Sequence, residues 1–323
     1  MHFPQSRPRR LRVSKNIRAL VKENNICVSD LIYPIFVVHG SNIKKEIPSL
    51  KGQFHWSIDR LHEILEEVVK ANITTIILFG VPEIKDETAS ENYAKNGIVQ
   101  QAVRKVKALY DELVIITDVC LCQYTDHGHC GILSTHGTIQ NDPTHNILVK
   151  TAISHIEAGA DIIAPSGMMD GMIYALRRGL DKAGYEDISI MSYAVKYASH
   201  FYGPFRDAGS TNLEGDRKTY QMDFSNNKEA IREAILDQNE GADFIMIKPA
   251  GAYLDIISKV SQAVLLPTVA YQVSGEYAMI KAASESNLID EKGVVLESIT
   301  GMKRAGANII ITYFALDIAN WLL

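Results

Sequence analysis

Gly159-Ala-Asp-Ile-Ile, Gly241-Ala-Asp-Phe-Ile and Gly306-Ala-Asn-Ile-Ile recur along the chain, each closing a helical pattern and opening an apolar run. Glycine suits the left-handed conformation that ends a helix. A unit of helix, glycine and strand, repeated, implies parallel strands joined by right-handed crossovers.

Reading outward from these marks, short runs rich in Ile and Val appear at Leu31–Val38, Thr74–Val81, Leu113–Val119, Ala160–Ser166, Ile188–Val195, Ala242–Lys248, Leu266–Ser274 and Ala307–Phe314. Most are continuous rather than alternating, as expected of strands buried on both faces. Helical patterns lie between them at Ile58–Ala71, Tyr93–Tyr110, Ile147–Ala158 and Lys228–Glu240, the last preceded by Asp223-Phe-Ser-Asn-Asn, a source of N-cap residues. Eight such strands predict an α/β fold, a closed (β/α)8 TIM barrel with an extended N-terminal arm. An open doubly wound sheet is the alternative, but it usually shows a Gly-rich phosphate loop after an early strand, and this sequence has none.

Length and charge fit this reading. The chain has 323 residues, 46% of them hydrophobic and 22% charged, enough for one large core. The expected division is an arm over 1–25 and the catalytic barrel over 26–323. A net charge of −5 gives no general attraction for nucleic acid. Basic residues do gather at the start, Arg7, Arg9, Arg10, Arg12, Lys15 and Arg18. A tail packing on another subunit is favoured there over a nucleic-acid arm or a targeting peptide. The stretch lacks the apolar run of a secretory signal, and apolar runs elsewhere are strand-sized. The expectation is a cytoplasmic protein with no nucleic acid and no membrane among its partners.

In barrels the chemistry sits at the C-terminal ends of the strands. There the third strand gives Asp118-Val-Cys-Leu-Cys, the fourth Pro165-Ser166, the fifth Lys196, the sixth Lys248, the seventh Tyr271-Gln-Val-Ser274 and the eighth Thr312-Tyr313. Reactive groups converge on one rim. Two connections, Cys120–Thr144 and His200–Met222, exceed the usual two to six residues or so and carry glycines, which reads as lids.

Lys196 and Lys248 each end an apolar strand, where lost hydration disfavours the ammonium and two like charges disfavour it further. A neutral lysine forms a Schiff base with a carbonyl substrate. The bland alternative is a snorkelling side chain or a salt bridge. Cys120, Cys122 and Cys130 offer three soft thiolates on one loop, which suits a catalytic zinc with an open position. His127 or His129 as a fourth ligand would instead make a closed structural site. Cys27 stands alone and is expected to be a buried apolar residue. Arg206 and Arg217 in the second lid suit a carboxylate. Ser274 and Tyr313 offer hydroxyl donors for a second one. Asp118 is placed to move protons or orient an amine, or to pair with a lysine.

At these residues the sequence resembles a known family. Asp118-Val-Cys-Leu-Cys-Gln-Tyr-Thr-Asp-His-Gly-His-Cys130, Ala164-Pro-Ser-Gly-Met-Met-Asp-Gly171, Met191-Ser-Tyr-Ala-Val-Lys196, Met246-Ile-Lys248-Pro-Ala and Tyr271-Gln-Val-Ser274-Gly-Glu-Tyr, with the lead-in Arg9-Arg-Leu-Arg, are similar to motifs of the zinc-type porphobilinogen synthases, and the likeness spans nearly the whole chain. The resemblance implies a lyase of heme biosynthesis that condenses two molecules of 5-aminolevulinate to porphobilinogen with loss of two waters. It implies that Lys248 forms the Schiff base with the propionate-side substrate and Lys196 holds the acetate-side one. Cys120, Cys122 and Cys130 would be the zinc ligands, leaving His127 and His129 outside. Arg206, Arg217 and Gln221 would bind the second substrate's carboxylate, Ser274 and Tyr313 the first one's, and Asp118 and Ser166 the first one's amino group. It further implies an allosteric homo-octamer with an activating Mg2+ held by Glu233. Two rivals remain: a class I aldolase, which needs one such lysine and no thiolate-held metal, and a non-catalytic barrel whose cysteines staple a loop.

Overall fold

A computed structural model of the chain describes residues 2–322 except 212 and 214. The first stave, β1 (Leu31–Val38), is followed by an antiparallel hairpin, β2 (Lys44–Ile47) and β3 (Leu50–Ser57). Next come β4 (Thr75–Val81) and β5 (Val114–Val119), then a short hairpin of β6 (Ile132–Leu133) and β7 (Ile139–Gln140). The ring continues through β8 (Ile162–Pro165), β9 (Ser189–Lys196), β10 (Phe244–Lys248), β11 (Thr268–Tyr271) and β12 (Ile309–Ile311). Around the ring the order is β1, β4, β5, β8, β9, β10, β11, β12, all parallel, and β12 returns to β1. That closure rules out the open sheet.

The seam is shared. Leu31 and Ile32 pair with Ile310 and Ile311 of β12, while Phe36, Val37 and Val38, nearer the rim, pair with His55, Trp56 and Ser57 of β3. The hairpin thus extends the wall where the three-residue β12 stops.

Helices cover the outside except for α1 (Lys15–Leu20) in the arm and α6 (Gly203–Ala208) over the rim; the others are α2 (Leu61–Lys70), α3 (Ile98–Leu109), α4 (Asn141–Glu157), α5 (Met172–Lys182), α7 (Lys228–Glu240), α8 (Leu254–Ala263), α9 (Ser274–Glu285), α10 (Glu291–Ala305) and α11 (Ala315–Leu322). On α2 the buried side chains Leu61, Ile64, Leu65 and Val68 follow the three-and-four spacing of one apolar stripe. Each contributes about 1.5–3 kcal/mol by leaving water. Truncating Leu65 to Ala removes that and leaves a void, costing about 2–5 kcal/mol. Gly159, Gly241 and Gly306 have φ of 110°, 106° and 116°, the left-handed geometry their repeat implied. The arm is exposed: Leu11, Val13 and Leu20 keep 55%, 70% and 84% of their surface. No helix among the described residues is long and apolar enough to cross a membrane.

Several expectations need correction. Cys27 is exposed, not buried. It precedes a single 3-10 turn, its backbone N–H held by the Asp30 carboxylate at 3.0 Å, and so lies outside the ring. The third helix starts at Ile98 rather than Tyr93, because Ser90–Tyr93 forms its own 3-10 turn and Gly97 intervenes. Conversely α4 starts at Asn141, six residues before Ile147, with Pro143 in its first turn, so the first lid is shorter than expected. Asn227 precedes α7 but caps nothing through its side chain, since its backbone is already helical (φ −114°, ψ −27°) rather than extended.

Candidate active site

The two lysines stand side by side at the rim. Strands β9 and β10 pair Phe244 with Met191 and Ile245 with Ser192, but then Ile247 with Val195 and Lys248 with Lys196. One extra residue of β9 is accommodated between those pairs, a bulge. In an unbroken ladder Lys248 would meet Val195, and Lys196 would fall on the opposite pleat. The bulge therefore puts both amines on one face of the sheet.

Their surroundings differ. Lys248 Nζ lies 4.1 Å from the Tyr271 ring centroid, 5.0 Å from Phe205, 5.1 Å from Tyr193 and 5.5 Å from Tyr202. Burial first, and then the neighbouring Lys196 charge, push its pKa down to about 7. Lys196 Nζ donates to the Ser166 carbonyl at 2.6 Å and lies 5.6 Å from the Tyr193 centroid. Tyr193 is thus the aromatic ring that both amines share. Its role, like that of Tyr202 and Phe205, escaped the sequence reading: aromatic residues near a strand end look like ordinary core. Asp118, on β5, is buried; that raises its pKa against the pull of both lysines and a hydrogen bond from Ser166.

Beyond Asp118 the chain turns into the thiol loop. The sulfurs of Cys120, Cys122 and Cys130 all lie within 4.8 Å of one another, all buried and none in a disulfide. Hydrogen bonds from Cys120 and Cys122, with Arg217 nearby, hold Cys130 well below the usual thiol range despite its burial. The Cys120 bond favours a thiolate at Cys122, but a bond to Cys130, burial and the Cys130 charge together push Cys122 up to about 11. Three buried thiols crowding one point fit a soft divalent cation, which would let all three ionise. Among the described residues no His, Asp or Glu joins this group, so the donor set leaves a position open. His129 Nδ1 meets Tyr220 Oη at 3.0 Å and His127 Nδ1 accepts the His129 backbone N–H at 3.1 Å. Asn92, also unforeseen, donates to the Cys120 carbonyl at 2.9 Å from inside the wall. No motif signals a side chain that acts through a backbone carbonyl.

The second lid folds over this floor. Arg217 is buried; one guanidinium nitrogen donates to the Gly128 carbonyl at 2.8 Å, tying the lid to the thiol loop. Its Nε and the Gln221 Nε2 are buried donors without a partner among the described residues, a condition that calls for an acceptor. Arg206, on α6, is exposed, and burial of its inner atoms together with the Arg217 charge disfavours its cationic form. Ser274 Oγ receives the Phe205 N–H at 3.0 Å, and Tyr313 Oη meets Tyr271 Oη at 3.3 Å. Asp118, Cys122, Ser166, Lys196, Arg206 and Lys248 share a cavity of only about 20 Å3, room for roughly one water. Tyr202, Phe205, Arg206 and Arg217 of the second lid close over that cavity. Glu233 lies elsewhere, half-buried on α7 beside a larger cavity of about 660 Å3 that also reaches Asp170 and Glu229. Burial and the charges of Asp170 and Glu229 raise its pKa.

Residues 5–321 match the model of the family described as delta-aminolevulinic acid dehydratase. Among curated proteins, the delta-aminolevulinic acid dehydratase of Halalkalibacterium halodurans is 56% identical over 317 residues, covering 98% of this chain and 96% of its own. That of Bacillus subtilis is 54% identical over 318 residues, covering 98% of each. Among solved structures, the Toxoplasma gondii delta-aminolevulinic acid dehydratase (porphobilinogen synthase), in complex with the reaction product porphobilinogen, superposes with a TM-score of 0.96 at 44% identity, covering 98% of this chain and 91% of that one.

Proposed function

We infer the chemistry from the premise that this chain belongs to the delta-aminolevulinic acid dehydratase family: it condenses two molecules of 5-aminolevulinate to porphobilinogen in tetrapyrrole biosynthesis. The observation that carries the reading is the direct pairing of Lys196 with Lys248 at the rim that also holds three thiols. A single Schiff base, as in an aldolase, leaves the second lysine and the thiols without a task.

Lys248, with its lowered pKa, takes the propionate-side substrate as a Schiff base, and Lys196 takes the acetate-side one. Ser274 and Tyr313 hold the first substrate's carboxylate. Arg206, Arg217 and Gln221 hold the second, satisfying the unpartnered donors of Arg217 and Gln221. Asp118 and Ser166 meet the first amino group, and Asp118, its carboxyl pushed up by burial against the pull of the lysines, relays protons. Cys120, Cys122 and Cys130 are the ligands of a catalytic Zn2+, which when bound supplies Lewis-acid polarisation beside the second half-site. Two unlike half-sites distinguish two identical substrates, and holding both makes bond formation effectively intramolecular, a gain of roughly 7–11 kcal/mol.

The same reading extends outward. The exposed apolar residues of the arm, 1–25, pack on neighbouring subunits of a homo-octamer, while 26–323 form the barrel. Glu233, with Asp170 nearby, is the residue for an allosteric Mg2+. The compartment is the cytoplasm. Incubation with 5-aminolevulinate, with and without a chelator, tests the core of the proposal: porphobilinogen is expected in the metal-replete arm, and none there would overturn it.

A further inference from the structure

Helix α6 (Gly203–Ala208) carries Phe205 and Arg206 over the lysines, and backbone N–H groups of the following turn take the Phe205, Arg206 and Asp207 carbonyls, which leaves that of Ala208 to be met from outside the helix. Side chains of the scaffold reach it and the segment around it. His55 Nε2 donates to the Ala208 carbonyl at 2.6 Å; since a carbonyl only accepts, the proton sits on that nitrogen. Lys85 Nζ donates to the Ser210 carbonyl at 2.5 Å. Ser49 Oγ lies 2.5 Å from the Asp207 carboxylate and 3.2 Å from the Pro204 carbonyl. The donors come from two separate places, the β2–β3 hairpin and the connection after β4. None hydrogen-bonds to the two rim lysines or the thiols among the described residues, although the Cys122 charge reaches Lys85.

Apolar contacts align the same segment. The His55 ring stands edge-on to Phe36, centroids 6.1 Å apart at 85°. Phe205 packs on Phe36 at 5.7 Å and on Phe79 at 5.1 Å. Gly209 lies so close to Gln123, which directly follows Cys122, that an added Cβ would sit 3.2 Å from its amide. Packing sets where α6 rests laterally, whereas the hydrogen bonds fix its height above the floor.

We propose that Ser49, His55 and Lys85 form a latch that holds α6 and the turn after it closed through the Asp207 carboxylate and the Ala208 and Ser210 carbonyls, and are positioning residues that place Phe205 and Arg206 against the second substrate. The proposal rests on the assignment of Arg206 to that substrate's carboxylate, although closure of α6 is measurable without any turnover.

The test compares the intact protein with His55→Leu/Lys85→Met and with His55→Gln, whose amide keeps a donor at the same reach. Hydrogen exchange of peptides within 203–211 is read in substrate-free protein by mass spectrometry, alongside KM and kcat for 5-aminolevulinate. Two lost hydrogen bonds predict exchange roughly ten- to thirtyfold faster in 203–211, with exchange of the β9 and β10 amides unchanged. KM rises by a similar factor while kcat stays within roughly threefold, the signature of lost binding rather than lost chemistry. His55→Gln remains near the unsubstituted protein. Unchanged exchange in the double variant overturns the latch, and faster exchange with unaltered KM overturns the positioning role. Absence of product from the unsubstituted protein would defeat the dehydratase reading and leave the exchange result standing.

Discussion

Lys248 and Lys196 are one residue type, on adjacent strands, at one register position, yet their surroundings are opposite in kind. Lys248 sits within 5.5 Å of four aromatic centroids, and no hydrogen bond from its amine is among those seen. Lys196 is anchored to the Ser166 carbonyl and has one aromatic centroid, that of Tyr193, near its amine among the described residues. Desolvation keeps the first amine nucleophilic, while the second is held in a fixed direction by a polar contact. On the proposed reading, two copies of one substrate are told apart because the protein differs around the two amines.

The largest expected effect is Lys248→Ala, predicted to lower turnover by roughly four orders of magnitude and to abolish the borohydride-trapped adduct. A trapped adduct at undiminished yield in that variant would put the Schiff base elsewhere. Next comes metal removal: chelation, or Cys122→Ala, is predicted to cost at least roughly a hundredfold in turnover, with a melting temperature lowered by only a few degrees. Global unfolding instead would favour the structural staple. Smaller again is Gln221→Ala or Arg217→Lys, expected to raise KM roughly ten- to hundredfold, since a charge-assisted bond is lost from a buried site. The smallest change sharpens the contrast directly. Adduct formation at Lys248 needs the neutral amine, so it should rise as pH passes about 7. Lys196→Met removes a like charge, raises the Lys248 pKa and moves that rise to higher pH, as single-turnover trapping across pH would reveal. A profile that stays in place would mean that burial alone sets the amine.

Much of this was legible in the residues. Strands buried on both faces write continuous apolar runs, which mark every stave. β1 has the expected bounds, as does helix α7, although β11 and β12 are shorter than the runs Leu266–Ser274 and Ala307–Phe314 that announced them. The convergence of Lys196, Lys248 and the three cysteines on one rim was legible because each lies at or just beyond the C-terminal end of an apolar run. Other features were not. The β9 bulge depends on how Ile245 and Ile247 meet a neighbouring strand, and no local pattern in Ser189–Lys196 marks it. Cys27 looked apolar, but residue type does not say on which side of the ring a segment runs. His55, Lys85 and Asn92 bind backbone carbonyls far away in sequence, and any residue has a carbonyl.

The shared seam has a mechanical consequence. The ribbon formed by β2 and β3 is at once the hem of the barrel beside β1 and the clasp of its cover. Excising it would do more than shorten a surface excursion: the rim edge of β1 at Phe36–Val38 would lose its neighbour and α6 its moorings in the same stroke. Wear at the seam and looseness of the cover are therefore one fault, and a substitution that frays either is felt at both.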